Sequence, residues 1–179
     1  AENQVVESST PKPLPATKPP SVGLQNVSFS YPGVREPVLN DVSFAINPGE
    51  VVALVGSNGA GKSTIVKLLC RLYDPAAGIL SYNGIGYPDL ALQELRQQMS
   101  VVFQDFVQYH LTVRDNIRLG DVEKAENSSD AVAEVADKAG LSEVVKTLPQ
   151  GYDTMLGKWF EAGEELSIGE WQKLVIARA

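Results

Sequence analysis

Residues 56–64 read Gly-Ser-Asn-Gly-Ala-Gly-Lys-Ser-Thr, and no other stretch restricts the fold of this chain as strongly. The pattern G-x-x-x-x-G-K-[ST] is met at Gly56, Gly61, Lys62 and Ser63. Such a loop belongs between the end of a strand and the start of a helix. Before it, Val51-Val-Ala-Leu-Val55 is a continuous apolar run, which predicts a parallel strand buried on both faces. After it, Ile65, Val66, Leu68, Leu69 and Leu72 recur at helical spacing. An α/β fold built around one strand–loop–helix unit is the expectation.

The loop chemistry follows from its residues. Gly56, Gly59 and Gly61 permit positive φ and close backbone approach, so successive N–H groups can face one concavity. The helix that begins near Gly61 adds unpaired N–H groups and about half a positive charge. Lys62 is placed to reach the β- and γ-phosphates of a nucleoside triphosphate, and the Ser63 hydroxyl to ligate Mg²⁺. Ser57, Asn58, Ala60 and Thr64 complete the cradle.

The 179 residues are 44% hydrophobic and suit a single globular domain. A net charge of −7 argues against a nucleic-acid partner held through phosphate contacts. The single cysteine, Cys70, falls inside the helix after the loop, so no disulfide framework is possible and a small core residue is expected. The single histidine, His110, has no metal-ligand companions and reads as structural. No apolar run approaches the roughly 20 residues of a membrane span, and no signal peptide is visible, so a reducing cytosolic setting is expected.

Both ends suggest a piece of a longer protein. The chain starts at Ala1, and residues 1–21, with Pro11, Pro13, Pro15, Pro19 and Pro20 among Ser, Thr and Lys, read as a Pro-rich linker. At the other end, Gln172-Lys-Leu-Val-Ile-Ala-Arg-Ala179 is helix-like and carries no glycine cap or proline stop. Between them, strands are expected from Val22 to Ile46, broken at Pro32-Gly33, and again over residues 78–83, closed by Asn83-Gly84. Pro88 to Gln98 reads as a short helix and Val101–Phe103 as a buried strand. Helices are expected over 113–119, 129–139 and 141–148, with Gly140 as a break.

Residues 166–173, Leu-Ser-Ile-Gly-Glu-Trp-Gln-Lys, with Ile176-Ala-Arg-Ala179 behind them, resemble the LSGGQ signature of ATP-binding-cassette (ABC) ATPases. Further segments occur in that family's order. Val27-Ser-Phe-Ser-Tyr-Pro32 is similar to the adenine-stacking loop, and Val102-Phe-Gln-Asp105 to the glutamine loop. Leu148-Pro-Gln-Gly-Tyr-Asp-Thr154, followed by Leu156-Gly157 and Gly163-Glu164, resembles the stretch before the signature in ABC exporters. The resemblance covers about residues 22–179. It implies an ABC-type P-loop NTPase with a mixed sheet, an antiparallel β subdomain and a helical subdomain over about 105–165, incomplete at its C-terminus.

The resemblance also implies roles. Tyr31 would stack on adenine, and base–aromatic stacking is tolerant of base identity. Gln104 would offer its carbonyl to Mg²⁺ and its amide to the attacking water. Ser167, Gly169 and Glu170 would close on the γ-phosphate of ATP held by a partner domain, giving a head-to-tail dimer, homomeric or heteromeric. Read from the residues alone, Ser167-Ile-Gly-Glu170 is a capping box, with Leu166 and Trp171 in the positions of a hydrophobic staple. Ile168 stands where the family has glycine and Glu170 where it has glutamine. Ile168 adds bulk near the phosphate path, and Glu170, with Glu164 and Glu165, adds negative charge. Glu170 is therefore expected to act mainly as the capping carboxylate.

In the family, an apolar strand ending in Asp-Glu and a later histidine follow the signature. No such run occurs in residues 1–179, so this chain is expected to bind ATP weakly and not to hydrolyse it at a useful rate. The resemblance implies a parent protein that is an ATPase driving export, on the cytoplasmic face of a membrane beside a transmembrane domain outside this chain. The rival readings are a soluble cassette protein of DNA repair or translation and a non-catalytic regulatory nucleotide-binding module.

Overall fold

Alternation of apolar and polar residues produces the first layer. The computed structural model describes residues 5–15, 19–120, 129–159 and 163–179. Parts of the Pro-rich stretch (1–4, 16–18) and of the helical region (121–128, 160–162) lie outside the described residues. Strand β1 (Val22–Phe29) buries Leu24, Val27 and Phe29, and strand β2 (Leu39–Ile46) pairs antiparallel with it from Val22↔Ile46 to Phe29↔Leu39. The spacing from Leu24 to Val27 breaks the period of two because a bulge intervenes. Asn26 adopts φ 50° there, and its side chain donates to Asp41 Oδ1 at 2.7 Å. Strand β3 (Ala77–Tyr82) pairs on the other side of β1, and the short β4 (Ile85–Gly86) folds back on β3. The order is β2-β1-β3-β4, antiparallel throughout. Asn83 and Gly84, both at positive φ, make the tight turn that Asn-Gly sequences favour.

Helix α1 (Lys62–Leu69) follows the glycine loop. Ile65 and Leu68 share a buried cluster with Leu24, Val27, Phe29, Leu39 and Leu80 of the sheet. The helix stops in a Schellman arrangement: Arg71 N–H donates to Leu68 O at 2.8 Å and Leu72 N–H to Lys67 O at 2.9 Å. The left-handed position that glycine usually fills is held by Arg71, at φ 49°. A non-glycine residue there costs about 1–2 kcal/mol. A single 3₁₀ turn at Tyr87–Asp89 and helix α2 (Leu92–Gln97) complete this compact unit, residues 1–99. The expected helix from Pro88 is thus shorter.

Within the same unit, residues 5–14 of the Pro-rich stretch lie extended against residues 71–96. Lys12 forms a parallel bridge to Leu90, Val5 is buried, and Leu14 packs on the apolar cluster.

The second compact unit, residues 100–179, is helical. Helices α3 (Val113–Arg118), α4 (Ser129–Lys138), α5 (Ser142–Thr147) and α6 (Ile168–Arg178) match the helical expectations to within a residue or two. Gly140, at φ 68°, separates α4 from α5. Thr112 caps α3 by accepting from Asp115 N–H at 3.0 Å. Arg114 on α3 grips Asp153 through two nitrogens, at 2.8 and 3.3 Å, and this fixes the 3₁₀ turn at Gly151–Asp153. Leu166, Trp171 and Leu174 join Val113, Ile117, Leu141 and Leu156 in one core.

Two expectations are corrected. Val51–Val55 and Val101–Phe103 do not form strands, and neither run is buried: Val51 is 97% and Val55 93% exposed. A parallel strand takes its hydrogen bonds from non-neighbouring segments on each side. None of the described residues pairs with either run. Apolar content alone therefore leaves them without regular structure.

Trp171 is 1% exposed and Trp159 87%, so two chemically equal truncations should behave oppositely. Trp171→Ala should lower unfolding free energy by about 3–5 kcal/mol, and Trp159→Ala by less than about 0.5 kcal/mol. Urea titration followed by far-UV circular dichroism measures both.

Candidate functional site

The glycine loop enters helix α1 through two left-handed residues, Gly59 at φ 82° and Gly61 at φ 83°. They are glycine for different reasons. A Cβ on Gly59 would meet nothing within 4 Å, so only its backbone conformation requires glycine. A Cβ on Gly61 would stand 2.6 Å from Leu39 Cδ2 and 3.2 Å from Val38 O. The start of β2 thus packs directly against the start of α1. Gly61 is also the N-cap and supplies no capping side chain, so no side chain competes for the N–H groups of the first turn. Lys62 donates to Gly56 O at 2.8 Å and Ser57 O at 2.7 Å, folding over its own loop. An ammonium resting on two loop carbonyls is close to where phosphate oxygens would enter the loop. These features fit a polyphosphate: helix-start donors without a side-chain cap, a cation at the loop and a loop without bulk.

Tyr31 is brought to the same place. Its hydroxyl hydrogen-bonds Thr64 Oγ1 at 3.1 Å, and its ring meets Phe29 and Tyr73 edge-on, with centroids 5.0 and 5.5 Å away. Lys67 Nζ lies 5.3 Å from the ring centroid. Thr64 was expected in the cradle, whereas Lys67 was not singled out in the sequence. Its i,i+3 spacing from Thr64 on α1 was the available signal, because it places both on the face that bears Tyr31.

In the second unit, Gln104 is exposed in a turn with Asp105. Beside it, Asp105, Phe106, Val107, Tyr109, Leu119 and Arg178 help line a cavity of about 390 Å³. Arg178 donates to Val107 O at 3.1 Å, with its guanidinium 4.8 Å from the Tyr109 ring centre. His110 is not free of a role: a Cβ at Gly157 would come within 2.1 Å of its Nδ1, so the ring packs on that glycine backbone.

The signature residues build the expected capping box. Glu170 N–H donates to Ser167 Oγ at 3.4 Å, while Glu170 Oε2 accepts from Ser167 N–H at 2.7 Å and from its hydroxyl at 2.8 Å. The Ser167 hydrogen bonds hold the Glu170 carboxyl below the usual glutamate range. Leu166 and Trp171 are both buried, as a staple requires. Gly169 differs: no atom lies within 4 Å of where its Cβ would be, and Ile168 beside it is exposed. Among the described residues, none stands close enough to require a glycine at 169.

Other titratable groups are uninvolved. Burial raises both the Cys70 thiol and the Tyr87 phenol, so each is neutral at physiological pH. Among the described residues, no group of His, Cys, Asp and Glu side chains is placed to hold a metal ion. The two residues expected from the sequence to ligate Mg²⁺, Ser63 and Gln104, belong to separate compact units.

Comparison with known proteins agrees with this geometry. Residues 39–179 match the sequence model of the family described as ABC transporter. The subtilin transport ATP-binding protein SpaT of Bacillus subtilis is 39% identical over 159 residues, 89% of this chain and 26% of its own length. An ATP-dependent lipid A-core flippase of Chromobacterium violaceum is 40% identical over 166 residues, 93% of this chain and 27% of its own. A bacterial Atm1-family ABC exporter solved with ATP bound superimposes with a TM-score of 0.85 at 36% identity, over 98% of this chain and 29% of that one. The chain thus spans about a quarter of the length of these relatives.

The two loop glycines give a graded test. Gly59→Ala should cost about 1–2 kcal/mol from its left-handed backbone alone. Gly61→Ala adds the collision with Leu39 and should cost clearly more, read as a larger fall in thermal midpoint. Equal shifts would contradict the packing.

Glu170 gives a pH test. A carboxyl whose folded pKa is depressed stabilises the fold above its unfolded pKa, and that contribution is lost as pH falls through the folded value. Glu170→Gln should therefore be less stable than the native chain at pH 7, with the two converging in acid. Chemical denaturation across pH 3–7 reads the difference, and a gap that persists in acid would sink the assignment.

Proposed function

We propose, starting from the fact that the chain belongs to the ABC transporter family, that it is the nucleotide-binding part of an ATP-driven exporter. ATP binding goes with that family. The observation that carries the reading is the loop at Gly56–Thr64, with Lys62 on the Gly56 and Ser57 carbonyls and Tyr31 tied to Thr64. Phosphates bind to the loop and the α1 N-terminus, Lys62 turns from the carbonyls to their oxygens, and the adenine lies on Tyr31. By the family resemblance Ser63 would ligate Mg²⁺ through its hydroxyl and Gln104 through its carbonyl, and the ion would neutralise phosphate charge. Gln104 also orients the attacking water.

Ser167, Gly169 and the start of α6 meet the nucleotide of a second nucleotide-binding domain, in a head-to-tail pair. The open space at Gly169 supports this, because a glycine without an internal reason leaves room for an external group. Glu170 shapes that surface as the capping carboxylate and does not act as an acid or base. The apolar cavity beside Gln104 supports contact with a transmembrane domain, which would place the chain on the cytoplasmic face of its membrane. The names of the relatives, transport proteins and a flippase, favour export over DNA repair or translation.

Titration with a fluorescent ATP analogue, competed by ATP and by inorganic tripolyphosphate, tests the reading. Lys62→Ala should weaken both competitors more than 10-fold. Tyr31→Ala should weaken ATP by about 5- to 100-fold, the range of one base–aromatic stack, and leave tripolyphosphate unchanged. Loss of both ligands in Tyr31→Ala would remove Tyr31 from the base site. Turnover by the 179-residue chain should be negligible, since it carries no apolar run ending in Asp-Glu.

A further inference from the structure

Arg71 is the least expected residue of the first unit. Its side chain is fully buried, and its backbone is left-handed where the helix end would take a glycine without strain. A glycine in its place would lack the guanidinium, and each direction of that guanidinium is used. Nε meets Asp74 Oδ1 at 3.3 Å, Nη1 donates to Leu90 O at 3.2 Å, and Nη2 donates to Val6 O at 2.9 Å. Its own carbonyl accepts from Arg96 Nη2 at 2.8 Å. One of these partners, Val6, belongs to the N-terminal stretch.

That stretch is docked along its length. Val6 N–H donates to Asp74 Oδ2 at 3.0 Å and Ser8 N–H to Pro88 O at 3.2 Å. Lys12 N–H donates to Asp89 O at 2.6 Å and Lys12 O accepts from Ala91 N–H at 3.2 Å. Glu7 Oε1 accepts from Leu92 N–H at 2.8 Å, and Glu94 Oε2 accepts from Leu14 N–H at 2.9 Å. A segment whose composition suits a free tether is therefore a strap, pinned at Arg71–Asp74, at 88–92 and at Glu94.

We propose that Arg71 is a positioning residue that couples docking of this strap to nucleotide binding, so that each favours the other. The proposal rests on the nucleotide-binding reading. Helix α1 is only 8 residues long, with the phosphate loop at its start and Arg71 just past its end. A two-turn helix moves as a rod, so a change at Arg71 is felt at Gly61. Undocking the strap takes Val6 O from a buried guanidinium and Val6 N–H from Asp74, which removes one of the three guanidinium contacts that support the strained residue ending the helix. Thermodynamic linkage makes the effect reciprocal: whatever holds the loop in its phosphate-binding form also holds the strap down. Tension or release in the chain before Val5 would then alter affinity at the loop.

Two measurements on the full 179-residue chain test this. Amide hydrogen exchange at Val6, Ser8, Lys12 and Leu14 should slow about 5-fold when a non-hydrolysable ATP analogue saturates the protein. The double substitution Glu7→Ala with Glu94→Ala, which loosens the strap far from the loop, should raise the analogue Kd by about the same factor. Arg71→Gly keeps the backbone conformation and removes the guanidinium; it should abolish the exchange effect, and Arg71→Lys should restore part of it. Unchanged exchange with the analogue demonstrably bound, or a native Kd in the double variant, would overturn the coupling and leave the nucleotide-binding reading intact. Absence of any analogue binding would overturn both.

Discussion

The seating of α1 on the antiparallel sheet is the contact on which the rest of the first unit depends. Ile65 and Leu68 are buried against Val27, Phe29, Leu39 and Leu80, and burial of two such side chains is worth about 3–6 kcal/mol. That packing fixes the helix axis, and with it the direction of the helix-start N–H groups. Leu39 at the start of β2 then abuts Gly61, so the sheet also sets how closely the loop backbone can approach. The geometry of the glycine loop is thus set by a helix–sheet interface, and Tyr31 reaches that loop because it follows β1 closely.

Local signals made much of this legible in the sequence. The glycine loop, the Asn83-Gly84 turn, the Gly140 break and the Ser167–Glu170 capping box each depend on residues within eight positions of one another. All of them are present in the structure. What local reading missed depends on distant segments. Val51–Val55 has the composition of a central strand, but a strand is a property of its neighbours, and no described segment supplies them. The docked strap was hidden for the opposite reason: its prolines and polar residues look like a tether, while its partners lie some 65 to 85 positions later. Arg71 was hidden because the need for a left-handed residue is invisible until the helix end is seen.

The second unit shows a division of labour within one helix. The buried side of α6, through Trp171, Leu174 and Val175, belongs to the core, while its first turn is devoted to its own capping. Glu170 uses one oxygen for both the Ser167 amide and hydroxyl. The Ser167 and Glu170 amides are therefore paired within the helix start itself. Gly169 and the exposed Ile168 beside it leave the outer side of that turn open.

The bare apolar run from Val51 to Val55 has a consequence for handling the protein. Peptide groups outside any ladder, flanked by exposed valines, offer the same invitation as an uncapped sheet edge. Short, uncharged, β-branched segments of this kind stack readily with their own copies. The stretch that leads into the glycine loop is thus also a place where this chain is prone to self-association.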